Sequence, residues 1–155
     1  MVGRAGRGKF KGKAIIQTMT PENDVINMAA NQDYESFYKT EMKLRKMLIY
    51  PPFCDIALVG FLGIREENVH AAASKFFLKI TEKISKEYKD EKVIILGPMT
   101  ARVSKVSNKY RYRLIIKCKN SKNFRKMMSE VLTEVLSEVS NRVSVYIDIN
   151  PENII

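Results

Sequence analysis

Apolar positions along the chain recur with one of two periods, and the period changes at sharp breaks. Ala14-Ile15-Ile16-Gln17-Thr18 is a short apolar run that predicts a strand. Thr20-Pro21-Glu22 has the residue types of a helix start, with Thr at the N-cap and Pro at the first helical position. From about Asp33 to Ile49, Tyr34, Phe37, Tyr38, Leu44 and Leu48 fall at mixed three- and four-residue spacings, which predicts a helix. Tyr50-Pro51-Pro52-Phe53 stops it, because neither proline can continue a helix and Tyr50 is pushed out of the α region. A domain boundary is expected there.

Beyond Asp55 the pattern is cleaner. Ile56 to Ile64 predicts a strand with Gly60 inside it. Residues 65–88 predict a helix with the stripe Val69, Ala72, Ala73, Phe76, Ile80 and Ile84, its glutamates early and its lysines late as the helix dipole prefers. Residues 92–96 read as a second strand ended by Gly97-Pro98, followed by an irregular basic loop and a third strand over 109–119. Ser121 caps a helix with the stripe Phe124, Met127, Met128, Val131, Leu132, Val135, Leu136 and Val139. Residues 142–149 close the chain as a strand, with Val143, Val145, Ile147 and Ile149 on one face. The order β-α-β-β-α-β predicts an α+β domain over 52–155 of the ferredoxin-like split type, with two helices on one face of a four-stranded sheet and the other face open. Residues 21–51 are expected to form a helical linker ahead of it.

Composition leaves material for such a core and closes other options. The 155 residues are 45% hydrophobic, without a low-complexity stretch, and a chain of this size buries roughly 68–70% of its unfolded surface. Runs such as Val93-Ile94-Ile95-Leu96 fall far short of the ~20 residues that cross a bilayer, so no membrane association is expected. The opening Met1-Val2-Gly3-Arg4-Ala5-Gly6-Arg7 lacks the apolar region of a signal peptide. Cys54 and Cys118 have no CxxC spacing, which excludes a zinc site, argues against a disulfide framework and fits a reducing cytosol.

The net charge of +10 is unevenly spread. Arg4, Arg7, Lys9, Lys11 and Lys13 crowd the start, and a second block runs from Arg102 to Lys126, while all 17 Asp and Glu lie outside both blocks. A solvated face mixes both signs, so the second block points to a polyanionic partner. Period-two alternation turns Tyr110, Tyr112, Leu114, Ile116 and Cys118 toward the core. It turns Lys109, Arg111, Arg113, Ile115, Lys117 and Lys119 to the other face, each ~7 Å from its next same-face neighbour, close to the phosphate spacing of a single strand. Of the aromatics, only Tyr146 clearly joins that face, which predicts salt-sensitive binding to nucleic-acid backbone rather than base readout.

The last helix carries Lys122, Arg125 and Lys126 in its first turns and Glu130, Glu134 and Glu138 later. That order opposes the macrodipole by ~0.3–1 kcal/mol per terminal charge, and it makes the helix start an acceptor for a carboxylate or phosphate. The three glutamates read as a solvated helix face, the lone His70 as a surface residue, and the methionines as core filler. The chain has no GxxxxGK[ST] and cannot hold ATP by a P-loop.

Gly3-Arg4-Ala5-Gly6-Arg7-Gly8 resembles motif VI of superfamily-two helicases, QxxGRxGR. The ordered series Ala14-Ile15-Ile16-Gln17-Thr18, Gln32-Asp33-Tyr34-Glu35, Tyr50-Pro51-Pro52-Phe53, Leu96-Gly97-Pro98, Tyr110-Arg111-Tyr112-Arg113 and Asp148-Ile149-Asn150-Pro151 resembles the C-terminal part of the primosomal protein N′ family, the PriA replication-restart helicases of bacteria. The resemblance covers nearly the whole chain. It implies that the complete protein is an ATP-dependent 3′→5′ DNA helicase of the cytoplasm that acts with other primosome proteins at stalled forks. Residues 1–20 would be the end of the second helicase lobe, with Arg4 and Arg7 as the motif arginines that stabilise charge on the transferring phosphate. The P-loop, and with it ATP and Mg, and the zinc-binding cysteines would lie upstream of Met1, so that no cofactor is expected in this stretch alone. Residues 52–155 would bind forked or single-stranded DNA through Lys109, Arg111, Arg113, Lys117, Lys119 and Tyr146. The same domain would bind the acidic C-terminal tail of single-stranded DNA-binding protein (SSB) through Lys122, with Arg125 or Lys126 in the second role.

Two other classes stay open on the residues alone. One is a freestanding ferredoxin-like RNA- or ribosome-binding domain, and the other a regulatory module that takes a small anion at the start of the last helix. A strand over 14–18 cut from its helicase sheet would also have unpaired edges free to pair with a second copy.

Overall fold

The structure, a computed structural model, describes residues 14–139 and 142–152; Arg4 and Arg7, with the rest of the first basic block, lie outside the described residues. The elements run α1 (Asp24–Ala30), α2 (Tyr34–Met47), β1 (Asp55–Gly63), α3 (Glu66–Lys86), β2 (Ile94–Val106), β3 (Lys109–Cys118), α4 (Lys122–Glu138) and β4 (Val143–Ile149). They fall into two units divided between Leu44 and Arg45.

In the first unit, residues 14–18 form no strand, contrary to expectation. A strand is held by a partner's ladder, and among the described residues the only sheet is built from β1 to β4. Nor does Thr20 cap a helix. Its carbonyl instead accepts from the Asn23 N–H at 3.1 Å, closing a turn around Pro21. Asn23 Oδ1 then accepts from the Val25 N–H at 2.9 Å, so Asn23 is the N-cap of α1. α2 begins behind Asp33, whose Oδ1 accepts from the Ser36 N–H at 3.1 Å. It ends at Met47, short of the expected Ile49, because Ile49 takes a φ of +51° that no helix continues.

The second unit is organised by β1. The sheet order is β2-β3-β1-β4, with every neighbouring pair antiparallel. Ala57, Val59 and Phe61 stand opposite Ile116, Leu114 and Tyr112 of β3, and opposite Ile149, Ile147 and Val145 of β4. α3 covers that face with Val69, Ala73, Phe76 and Ile80, and α4 with Phe124, Met127, Val131 and Val135, all in one buried cluster. Phe61 and Phe76 meet edge to face at 5.8 Å. Burying a side chain of this size contributes about 1.5–3 kcal/mol, so this layer holds the helices to the sheet.

Two further features depart from the sequence expectations. Residues 97–106 are not a loop, because β2 runs through them to Val106 with register shifts after Leu96 and Thr100. The bulges absorb Gly97-Pro98, and Ser107 and Asn108, with φ of +48° and +61°, make the tight turn into β3. Nor are Glu130, Glu134 and Glu138 a plain solvated face. Lys83 contacts Glu130 at 3.0 Å and Glu134 at 3.1 Å, Lys79 contacts Glu134 at 3.4 Å and Glu138 at 2.9 Å, and Lys75 contacts Glu138 at 2.7 Å. Late residues of α3 meet early residues of α4, so the helices are antiparallel, and both charge rows repeat every fourth residue along facing stripes. This pairing accounts for acids at the C-terminal end of α4 that the macrodipole alone disfavours.

The end of β4 is clipped to the start of β1. Asn150, at φ +53°, accepts from the Ile56 N–H at 2.9 Å and donates its own N–H to Ile56 O at 2.7 Å. Asp55 accepts from Asn150 Nδ2 at 2.9 Å and from the Asn120 N–H at 2.8 Å, and these donations hold its carboxyl below the usual range.

Hydrogen bonds from Lys75 and then Lys79 hold the Glu138 carboxyl down at about 2. A depressed carboxylate stabilises the fold above its unfolded pKa of about 4.3 and loses that contribution as pH falls toward the folded value. Urea midpoints measured from pH 5 to pH 2 should therefore fall less steeply in Glu138→Gln than in the parent chain. Parallel curves would contradict the ladder.

Candidate functional site

The register that buries Ala57, Val59 and Phe61 turns the alternate residues of β1 to the opposite face. There Leu62 stands between Arg111 and Ser144, Gly60 between Arg113 and Tyr146, and Leu58 between Ile115 and Asp148. Cations therefore line the β3 side of this face, and a phenol and a carboxylate line the β4 side. The irregular part of β2 brings Arg102 to the same place, closing a hollow of about 310 Å³. Gly60 has a specific role in its floor, since a Cβ there would collide with Cε1, Cζ and Oη of Tyr146. Its absence lets that ring lean across the central strand.

Of the strand cations expected on this face, the structure brings together Arg111 and Arg113, both half-buried in the hollow with Tyr146. Lys109 and Lys119 are exposed near opposite ends of β3 and do not line it. Lys117 departs from the expectation of an exposed cation. It is only 9% exposed, its ammonium donates to Leu48 O at 2.7 Å, and it lies 3.9 Å from the centre of the Tyr50 ring. The carbonyl and the ring replace water around it, so Lys117 ties residues 48–50 to β3.

Two lining residues were missed by sequence reasoning. The Gly97-Pro98 stop predicts a loop at Arg102 and hides the strand that continues through it. Asp148 was within reach, since the alternation that turns Tyr146 outward turns Asp148 outward too.

At the start of α4, Ser121 Oγ accepts from the Phe124 N–H at 2.9 Å, as its capping position predicts, and donates to Glu91 at 2.7 Å. Lys122, Arg125 and Lys126 are all exposed. Arg125 donates to Asn120 Oδ1 at 3.3 Å, and Lys126 lies 3.9 Å from Glu130. Lys126 also borders a hollow with Glu87, Asp90 and Glu91, which Lys122 and Arg125 do not line. The thiols offer no chemistry here. Burial pushes the Cys118 thiol up to about 12, and also raises that of Cys54.

An antiparallel four-stranded sheet with two helices on one face and an arginine-lined opposite face defines an α+β module that presents a sheet surface. Residues 46–152 match the primosomal protein N C-terminal domain, and the chain belongs to that family. It is 36% identical over 130 residues to the replication restart protein PriA of Borreliella burgdorferi, with 84% of the chain and 19% of that protein covered. It is 35% identical to PriA of Bacillus subtilis and 32% identical to PriA of Synechocystis, each match covering 96% of the chain and 18% and 16% of the relative. The chain thus spans less than a fifth of the length of these relatives.

Gly60→Ala tests how the floor is built. The added methyl should displace the Tyr146 ring, shift its NMR resonances and cost about 1–3 kcal/mol in overpacking. Unchanged ring shifts and an unchanged melting midpoint would contradict the packing described.

Proposed function

We propose that this chain is the C-terminal portion of a cytoplasmic replication-restart protein and that its open sheet face binds the backbone of nucleic acid. The observation that carries the reading is the convergence of Arg102, Arg111 and Arg113 on one hollow, on a face the helices leave uncovered. Guanidinium groups pair with phosphates bidentately, and ion release makes such binding steeply salt-dependent. Family membership supports the replication context, and the strand order β2-β3-β1-β4 supports the ferredoxin-like arrangement for the domain. Forked or single-stranded DNA is the proposed ligand, with other primosome proteins as further partners.

The longer protein's part in the proposal is ATP-dependent helicase activity. The described residues do not fit a metal centre, since no group of three His, Cys, Asp or Glu among them could hold an ion. The proposal assigns ATP, magnesium and zinc to other parts of the longer protein. The exposed Lys122 and Arg125 beside the Ser121 cap support a second part of the proposal, that the acidic SSB tail docks at the start of α4. The acids beside Lys126 favour Arg125 as the second contact.

Reversing Arg111 and Arg113 to Glu should weaken DNA binding by roughly tenfold or more and flatten the plot of log affinity against log salt by about one to two units. Reversing Lys122 and Arg125 should instead abolish binding of an acidic peptide while leaving most DNA affinity in place. An unchanged salt slope in the first pair removes the sheet-face reading, and wild-type peptide binding in the second removes the tail reading.

A further inference from the structure

The hollow on the open face is divided by chemistry as well as by shape. Its floor is β1, where Leu58 and Leu62 flank Gly60. One wall is β3, which supplies Arg111 and Arg113, and the other is β4, which supplies Tyr146 and Asp148. The walls stand two strand spacings apart, about 10 Å, a distance that one nucleotide spans from phosphate to base. The volume of about 310 Å³ is near the lower limit of about 300 Å³ for small-ligand pockets, room for a single unit rather than a run of them.

The two walls suit different parts of one ligand. Arg111 and Arg113 suit an anion, whereas Asp148 repels one and offers acceptors to the N–H groups of a base. Tyr146, 41% exposed, leans over Gly60 so that its ring forms part of the floor. The same ring that passes over Gly60 also lines the hollow. Every base can stack on such a surface regardless of its identity.

We propose that the hollow holds one unpaired nucleotide, with its base stacked on Tyr146 and its phosphate on Arg111 and Arg113, and that the chain therefore binds single-stranded in preference to duplex nucleic acid. The inference rests on the backbone reading above and adds a base-dependent component to it. Within a duplex each base is already stacked on its neighbours and cannot enter a pocket one nucleotide wide. Tyr146 stays 41% exposed while it covers the backbone of Gly60, which leaves ring surface for a base.

The test compares strands of equal length and charge by fluorescence anisotropy: single-stranded DNA, single-stranded RNA, duplex, and a single strand made wholly of abasic units. The wild-type chain should bind the abasic strand roughly 5- to 150-fold more weakly than the ordinary one, the range expected for one stacked base. In Tyr146→Leu, which keeps an apolar cover on Gly60, that difference should vanish, and in Tyr146→Phe it should persist. Base dependence with either DNA or RNA supports the proposal, and the pair of arms shows which sugar the site accepts. Equal binding of ordinary and abasic strands by the wild-type chain overturns it. If the Arg111 and Arg113 reversals still weaken both strands, only the base pocket fails and the backbone reading stands. If they weaken neither, both fail together. The wild-type comparison decides the matter even if Tyr146→Leu does not fold.

Discussion

The packing of Ala57, Val59 and Phe61 of β1 against α3 and α4 is the constraint on which the remaining structure depends. β1 is an internal strand, so its register sets which residues of both neighbours face the helices. Once Val59 and Phe61 are buried, Leu114 and Tyr112 follow on β3, and Ile147 and Val145 on β4. The intervening residues have no choice of face. Arg111, Arg113, Tyr146 and Asp148 are delivered together to the opposite surface by a period of two, and a slip of one residue would bury the arginines and expose the core. The site is thus a by-product of the same alternation that makes the core. Gly60 alone on the open side of β1 is tailored to it, by giving way to the ring of Tyr146.

Charge is arranged with a similar division. The basic block from Arg102 to Lys126 looks uniform in the sequence, but its members do different work. Arg102, Arg111 and Arg113 line the hollow, Lys117 is withdrawn onto Leu48 O and Tyr50, and Lys122 and Arg125 stand at the start of α4. The acids of α4 answer the lysines of α3 rather than the helix's own dipole. With its acids committed to that ladder, α4 keeps a basic first turn although the macrodipole disfavours it. The ladder orders the pair of helices, while the apolar layer beneath supplies most of their attachment.

Much of this was legible in the sequence wherever a long, regular period coincided with burial. The stripes of α3 and α4, the Ser121 cap, the alternation of β3 and β4 and the outward turn of Tyr146 are consequences of local patterns that the fold leaves intact. Most of the failures come from partners that the local pattern does not show. Residues 14–18 have strand composition but no ladder. β2 continues past Gly97-Pro98 because β3 pairs with it, and a bulge accommodates what local rules treat as a stop. Glu130, Glu134 and Glu138 looked solvated because their partners sit on α3, more than forty residues away in the chain. Lys117 looked exposed because nothing in the alternation of β3 reveals that residues 48–50 pass over it. The hollow itself was invisible, since Arg102 reaches it only through the irregular stretch of β2. Membership of the primosomal protein N C-terminal domain family agrees with the ordered motifs, and the structure gives one of them a reason: Asn150 of the Asp148-Ile149-Asn150-Pro151 series clips the end of β4 to the start of β1.

The central claim is that nucleic acid contacts the sheet face opposite the helices. Titrating the isotopically labelled chain with a short single-stranded oligonucleotide, while following backbone amide and arginine side-chain resonances, tests it most directly. The account predicts that the perturbed residues trace one surface, with Leu58, Gly60 and Leu62 of β1 moving together with Arg102, Arg111, Arg113, Tyr146 and Asp148, and with Lys75, Lys79 and Lys83 on α3 unaffected. Perturbations confined to α3 and α4, with the Gly60 and Tyr146 resonances unmoved at saturation, would contradict it.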